Sequence, residues 1–278
     1  MTAQQSNAQG FNPNGLNLVL VSTYERLIGA TIERVWENVL DWEHLPWLHH
    51  TSFSDITLDQ GGDWGWRTWS SPDKSSHIEL VVASKTSYVA RSFQFGKQVS
   101  EIWTYLNDRD SNTAIRVEFW LPDIDADRRQ AVGDLMIGLY TTLWNEDEAM
   151  MQERQRRLDE KLQMVSNATE LDLGKPEDIE AAQAAGQKVS FYFRGREFCL
   201  KKLDGQWLAH AAVCPHLLGP LGDIPVTDGT VTCPWHGYRF DVQSGACLSP
   251  DHASCRLPRA PVLSVEQERI IARPAAKG

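Results

Sequence analysis

Two short segments constrain this chain more than any other feature: Cys214-Pro215-His216 and Cys233-Pro234-Trp235-His236, separated by sixteen residues. Each offers one thiolate and one imidazole. The segments must therefore lie on two loops that meet, each supplying one ligand of either kind. Gly219, Pro220 and Gly222 after the first segment, and Pro234 and Gly237 around the second, suit tight loops that bring backbone amides near sulfur. The flanking runs Val189 to Arg194, Glu197 to Lys202, Trp207 to Val213, Val231 to Thr232 and Tyr238 to Val242 are short, and Gly and Pro separate them, as in a small β-sandwich.

The division of ligands discriminates between metal groups. A [2Fe-2S] centre in which one iron takes two cysteines and the other two histidines needs this split. A structural zinc is the alternative, but its ligands are usually paired by type, as C-x2–4-C and H-x3–5-H. From Lys188 to Pro274 the chain resembles the Rieske domain family, which implies a [2Fe-2S] cluster on Cys214, His216, Cys233 and His236. High-potential members of that family carry an extra disulfide between the loops and a hydroxyl-bearing residue after His-Gly. Pro220 or its neighbours, Trp235 and Tyr238 stand at those places here. The resemblance implies a potential toward the low end of a range of about -150 to +300 mV, as in oxygenases and their ferredoxins.

The first half reads as a second, larger domain. A strand at Asn17 to Glu25 is followed by a helix with Thr31 as N-cap and Ile32, Val35, Trp36, Val39 and Leu40 at helical spacing, stopped by Pro46. Four β-branched and aromatic runs follow, at His77 to Ala83, Tyr88 to Phe95, Ser100 to Leu106 and Ala114 to Leu121, and their short connections predict an antiparallel meander. A long helix is expected from about Asp125 to Leu162, with Val132, Leu135, Met136, Leu139, Leu143 and Met150 as its apolar stripe. This order resembles the START or Bet v 1-like helix-grip fold, which implies a ligand cavity between sheet and helix. The expected fold class is α+β: residues 1–14 a disordered tail, 15–163 the helix-grip domain, 164–187 a linker and 188–278 the all-β Rieske domain.

Within that first domain, Asn38-x2-Asp41-x2-His44-x4-His49 places two imidazoles near one point. His44 is expected one turn beyond Leu40 on the inward stripe, and Pro46 lets His49 turn back toward it. An acid on the long helix, Glu146 or Asp147, would complete two histidines and a carboxylate, the facial triad of non-haem Fe(II). His50 is an alternative to His49. An acid facing an apolar interior is costly unless paired or metal-bound, so its presence there is informative.

This motif resembles the iron-binding helix of Rieske non-haem iron oxygenases, with the order of the two domains reversed. The resemblance implies mononuclear Fe(II) on His44, His49 and Asp147. It makes Asp41 the acid that links the two metal sites and Asn38 a supporting residue. It further implies O2-dependent hydroxylation or demethylation of an organic substrate, electrons from a separate NAD(P)H-dependent reductase or ferredoxin, and a homo-trimer. The alternative is a ligand-binding, electron-transfer protein without mononuclear iron.

Composition excludes other classes. A formal net charge of -10 with no basic patch argues against nucleic acid and anionic membranes. No apolar run reaches a membrane span, and Leu16 to Val21 lacks the flank and length of a signal peptide. A cytoplasmic location is expected. Five cysteines, an odd count, then leave Cys199, Cys247 and Cys255 as reduced thiols rather than a disulfide framework. Among the eleven Trp, Trp36, Trp42, Trp47, Trp64, Trp66, Trp69, Trp103, Trp120 and Trp144 favour an aromatic or otherwise apolar substrate.

Overall fold

The computed structural model describes residues 17–122, 124–161, 167–250 and 254–275. The expected tail, residues 1–14, and the start of the expected linker, 164–166, lie outside them. The chain divides into two compact units, Met1–Gln152 and Glu153–Gly278.

The first unit is a seven-stranded antiparallel sheet: β1 (Leu18–Ile28), β2 (Thr57–Gly62), β3 (Gly65–Trp69), β4 (Ser76–Ser84), β5 (Ser87–Gln94), β6 (Lys97–Arg109) and β7 (Asn112–Pro122). The order is β1-β7-β6-β5-β4-β3-β2, so β2 to β7 form a meander and β1 joins the last strand. One face carries the row Trp66, Leu80, Ala90, Ile102 and Phe119, each paired with the next across adjacent strands. Those residues pack with Ile28, Val35 and Val39, and with Trp144 and Met151 of the long helix. The period-2 alternation of the strands separates this face from the opposite one. There Trp64, Val81, Val89 and Trp103 form a smaller apolar cluster.

Strands β2 and β3 are absent from the sequence reading. Every residue of β2 is exposed, and its run Thr-Leu-Asp-Gln-Gly-Gly has no apolar alternation, so pairing to β3 rather than burial defines it. The long helix, Ala126–Lys161, keeps Met136 and Met150 of the expected apolar stripe inward and corrects its leucines. Leu135 and Leu139 are exposed. The face turned to the core holds Met136, Tyr140, Trp144 and Met151, a spacing of four, four and seven residues. The core face is set by packing of these side chains on the sheet, and it leaves Leu135 and Leu139 to one side of it.

In the second unit, β9 (Ser190–Phe193), β10 (Arg196–Leu203) and β11 (Gln206–Ala211) form one sheet. A ribbon pairs β12 (Thr230–Thr232) with β13 (Arg239–Asp241), and a third sheet has the order β14 (Val262–Glu266), β15 (Arg269–Arg273), β8 (Leu171–Asp172). The expected linker is part of this unit. Its strand β8 pairs with β15, and Ile179 of the helix Pro176–Ala184 is buried against Leu200 and Ile270. A single buried residue, Ile179, within a polar Ala-Gln-rich sequence, anchors that helix.

Candidate metal sites

The four expected cluster ligands sit on two loops of nearly the same design. The amide of Cys214 donates to the carbonyl of Gly219 at 2.8 Å, and that of Leu218 donates back to Cys214 at 3.1 Å. In the second loop Cys233 donates to Tyr238 at 2.8 Å and Gly237 to Cys233 at 2.9 Å. The residue four after each cysteine adopts a left-handed backbone, with φ of 68° at Leu218 and 66° at Gly237. Only the second of these positions is a glycine, so sequence shows one loop's geometry and hides the other's.

These loops bring the expected ligands together. Cys214 and Cys233 are 1% exposed, and a side-chain hydrogen bond from Cys214 holds the Cys233 thiol below its ordinary range. The rings of His216 and His236 lie with centroids 4.6 Å apart. A Cβ at Gly219 would come within 2.8 Å of Cys233 Sγ, so the first loop must pass the second cysteine as bare backbone. Two thiols and two imidazoles converging on one enclosed spot fit the donor set of a Rieske [2Fe-2S] cluster. Tyr238 lies flat on His216, with centroids 4.6 Å apart and planes 10° apart, a ring contact that no sequence spacing announces.

In the first unit, the helix Ile32–Leu40 ends earlier than the sequence suggests. Its C-cap is Asp41, whose Oδ1 accepts the Glu43 amide at 3.1 Å, an Asx turn that competes with helix. A one-turn helix, Leu45–Leu48, then runs from His44 at its N-cap to His49 at its C-cap, with Pro46 in its first turn. This break turns both imidazoles inward: His44 is 3% and His49 2% exposed, whereas His50 is exposed.

His44, His49 and Asp147 each present one ligand atom within a 4.8 Å group. His49 Nε2 is 3.0 Å and His44 Nε2 3.5 Å from Asp147 Oδ1. Asn38 Nδ2 donates to the same oxygen at 3.0 Å. Glu146 lies outside the group. Its Oε2 is 2.6 Å from His49 Nδ1, so adjacent helix positions supply an inward carboxylate and a carboxylate behind the imidazole. His44 Nδ1 is buried without a hydrogen bond, 3.7 Å from Asp41 Oδ2.

Burial alone would lower the pKa of His49, but the carboxylates of Asp147 and Glu146 outweigh it and raise it. Burial likewise favours neutral Asp147, yet the hydrogen bond from His49, the imidazole of His44 and the Asn38 amide hold it ionised below its ordinary range. Two imidazoles and one buried carboxylate facing a common point, with an orphaned buried nitrogen on one ring, fit a divalent metal such as Fe(II).

The expected aromatic residues divide. Trp66 and Trp144 lie in the main core with Trp36 and Trp42 against it, Trp64 and Trp103 belong to the opposite sheet face, and Trp47 is exposed. All five cysteines are free thiols. Among the described residues no helix is long and apolar enough to cross a membrane.

Comparison with known proteins agrees with the C-terminal site. Residues 162–263 match the Rieske [2Fe-2S] domain family, so the chain carries a Rieske [2Fe-2S] domain. No curated protein matches the chain. Among solved structures, the ferredoxin of carbazole 1,9a-dioxygenase from Nocardioides aromaticivorans IC177 is 21% identical with a TM-score of 0.31, over 39% of this chain and all of that one. A protein from Thermus thermophilus is 18% identical with a TM-score of 0.33, over 47% of this chain and 96% of that one. One from Mycobacterium smegmatis is 17% identical with a TM-score of 0.35, over 47% and 89%.

Proposed function

We propose that this chain is the oxygenase component of a Rieske non-haem iron system. In this reading it uses O2, with electrons from a separate NAD(P)H-dependent reductase or ferredoxin, to hydroxylate or demethylate an aromatic or other apolar substrate. The observation that carries the reading is the convergence of His44, His49 and Asp147 in a chain that also has a Rieske domain. The first unit then serves as a helix-grip catalytic domain. When bound, a [2Fe-2S] cluster supplies single electrons and Fe(II) supplies open positions for dioxygen.

The residues of the chain do the rest. His44 Nε2, His49 Nε2 and Asp147 Oδ1 would hold the iron, and Asn38 fixes the rotamer of Asp147 through its amide. Glu146 holds the Nδ1 proton of His49, which leaves Nε2 as the donor. Asp41 stands behind His44 as the acid through which the family resemblance couples the two metal sites. Trp66, Tyr88, Ile102 and Phe119 keep water from the interior beside the site. A homo-trimer and a cytoplasmic location complete the proposal.

A second reading rests on the Rieske domain alone: an electron-transfer protein in which His44, His49 and Asp147 only share protons. Iron and acid-labile sulfide per chain decide between the two, measured on anaerobically prepared protein supplied with Fe(II). The oxygenase predicts about three irons to two sulfides, because the cluster accounts for two, falling to about two to two in His44→Ala or Asp147→Ala. Two to two in the wild type after Fe(II) addition would reject the oxygenase. Zinc without sulfide would reject both readings.

A further inference from the structure

Two thiols outside the expected ligand set, Cys247 and Cys255, stand one step along the chain from a bridged backbone pair. Ala246 and Arg256 form an antiparallel bridge, closed on one side by the Leu257 amide donating to Gly245 at 2.9 Å. One residue inward from that pair stand Cys247 and Cys255. Directly opposed residues of an antiparallel pair point to the same face with Cα atoms about 4.5 to 5.5 Å apart. A disulfide spans Cα separations of about 4.4 to 6.8 Å. Both thiols are half-buried rather than sealed. Cys247 is also bridged to Phe240, in the strand that follows the second cluster loop and pairs Phe240 with Val231.

We propose that Cys247 and Cys255 are a reversible oxidation site, closing into a disulfide when the protein meets a peroxide while all four cluster ligands stay in place. One thiolate attacks a peroxide oxygen, the O–O bond breaks, and a sulfenic acid forms as hydroxide leaves. The second thiolate then displaces the sulfenic hydroxyl group, forming the S–S bond. In sum, two thiols and one hydrogen peroxide give one disulfide and two waters, with two electrons passing from sulfur to the peroxide. Burial, together with the nearby Cys247 and Cys233 thiols, pushes the Cys255 thiol up, which places Cys247 beside it. The sulfurs of Cys214 and Cys233 are fully enclosed and bound by the cluster when it is present. The outer pair therefore reacts first, and its closure links Cys255 to Cys247, which is bridged to Phe240 in the strand that follows Cys233 and His236.

The test uses the cluster-loaded full chain and one equivalent of hydrogen peroxide under argon, followed by alkylation, trypsin and mass spectrometry. Arg239 and Arg256 bound one tryptic peptide, 240–256, that contains both thiols and neither cluster cysteine. The expected result is that this peptide loses two hydrogen masses and no longer alkylates. Iron and sulfide should stay constant, and a dithiol reductant should restore the original mass. In Cys247→Ser and Cys255→Ser the remaining thiol should stop at the sulfenic acid, trapped by dimedone, because one equivalent of peroxide carries only two electrons. The proposal is overturned if the wild-type peptide stays alkylatable or ends as a sulfenic acid beside a still-alkylatable thiol, or if sulfide is released before the peptide closes.

Discussion

His49 is clamped between two carboxylates from adjacent positions of one helix: Glu146 at 2.6 Å from Nδ1 and Asp147 at 3.0 Å from Nε2. In the proposed iron site Asp147 would occupy the ligand side and Glu146 the outer side, so Glu146 would act on a bound metal through the imidazole. Outer carboxylates of this kind typically contribute a factor of about 10 to 100 in metal affinity. Glu146→Gln should weaken Fe(II) or Co(II) binding in the first unit by that factor while cluster content is unchanged. Metal titration of protein stripped of mononuclear iron checks this. Equal affinities in wild type and variant would leave Glu146 with no positioning role.

Gly219→Ala should abolish cluster assembly without unfolding the first unit. The added methyl group would sit 2.8 Å from Cys233 Sγ and 3.1 Å from two ring carbons of Trp235, where neither backbone loop can retreat without moving a ligand. Gly229→Ala is the control. Nothing lies within 4 Å of its Cβ, so its cost is the strain of a positive φ, about 1 kcal/mol. Visible absorption and sulfide content should collapse in the first variant and persist in the second.

Gly65→Ala should unfold the edge of the large sheet. Its φ is +121°, and a Cβ there would meet the Leu80 carbonyl oxygen at 1.9 Å. A clash with a backbone atom of the adjacent strand cannot be relieved by a rotamer change. We expect a loss of more than about 2 kcal/mol in urea unfolding. A cost near that of an ordinary surface Gly→Ala would show that the β3–β4 pairing is looser than described.

Glu101 gives the first unit a pH dependence. It is 0% exposed, and burial pushes its carboxyl up to about 7 despite Arg91 and the Gln98 amide. The folded state therefore holds this proton more tightly than the unfolded chain. Its contribution to stability is complete below the ordinary carboxylate value of 4.5 and is lost as pH rises to about 7. The change amounts to roughly 3 kcal/mol. Thermal unfolding of Glu101→Gln should show a flatter slope across that window. Because Arg91 loses its counter-charge in the variant, the slope and not the absolute midpoint is the readout. An unchanged slope would assign the pH dependence to other groups.

Much of the C-terminal site is legible in the sequence because its chemistry is local. A cysteine and a histidine within three or four residues, bounded by Gly and Pro, specify a ligand loop, and two such loops specify a four-ligand group. The left-handed turn at Leu218 and the stacking of Tyr238 on His216 were not legible, since a buried leucine at positive φ is held by its surroundings and not by its own preference.

The first unit shows the opposite balance. Sequence alone determined the meander, the long helix and the candidates His44, His49, Glu146 and Asp147. Only the tertiary structure decided that Asp147 faces the imidazoles while Glu146 stands behind one of them, and that Trp144 rather than Leu139 meets the core. Adjacent helix residues differ by about 100° in direction, so a small rotation of the helix on the sheet exchanges their roles. That rotation is set by packing against strands far away in the chain. The sequence likewise carries no apolar mark for β2, because an exposed edge strand is defined by the hydrogen bonds of its neighbour and not by what it buries.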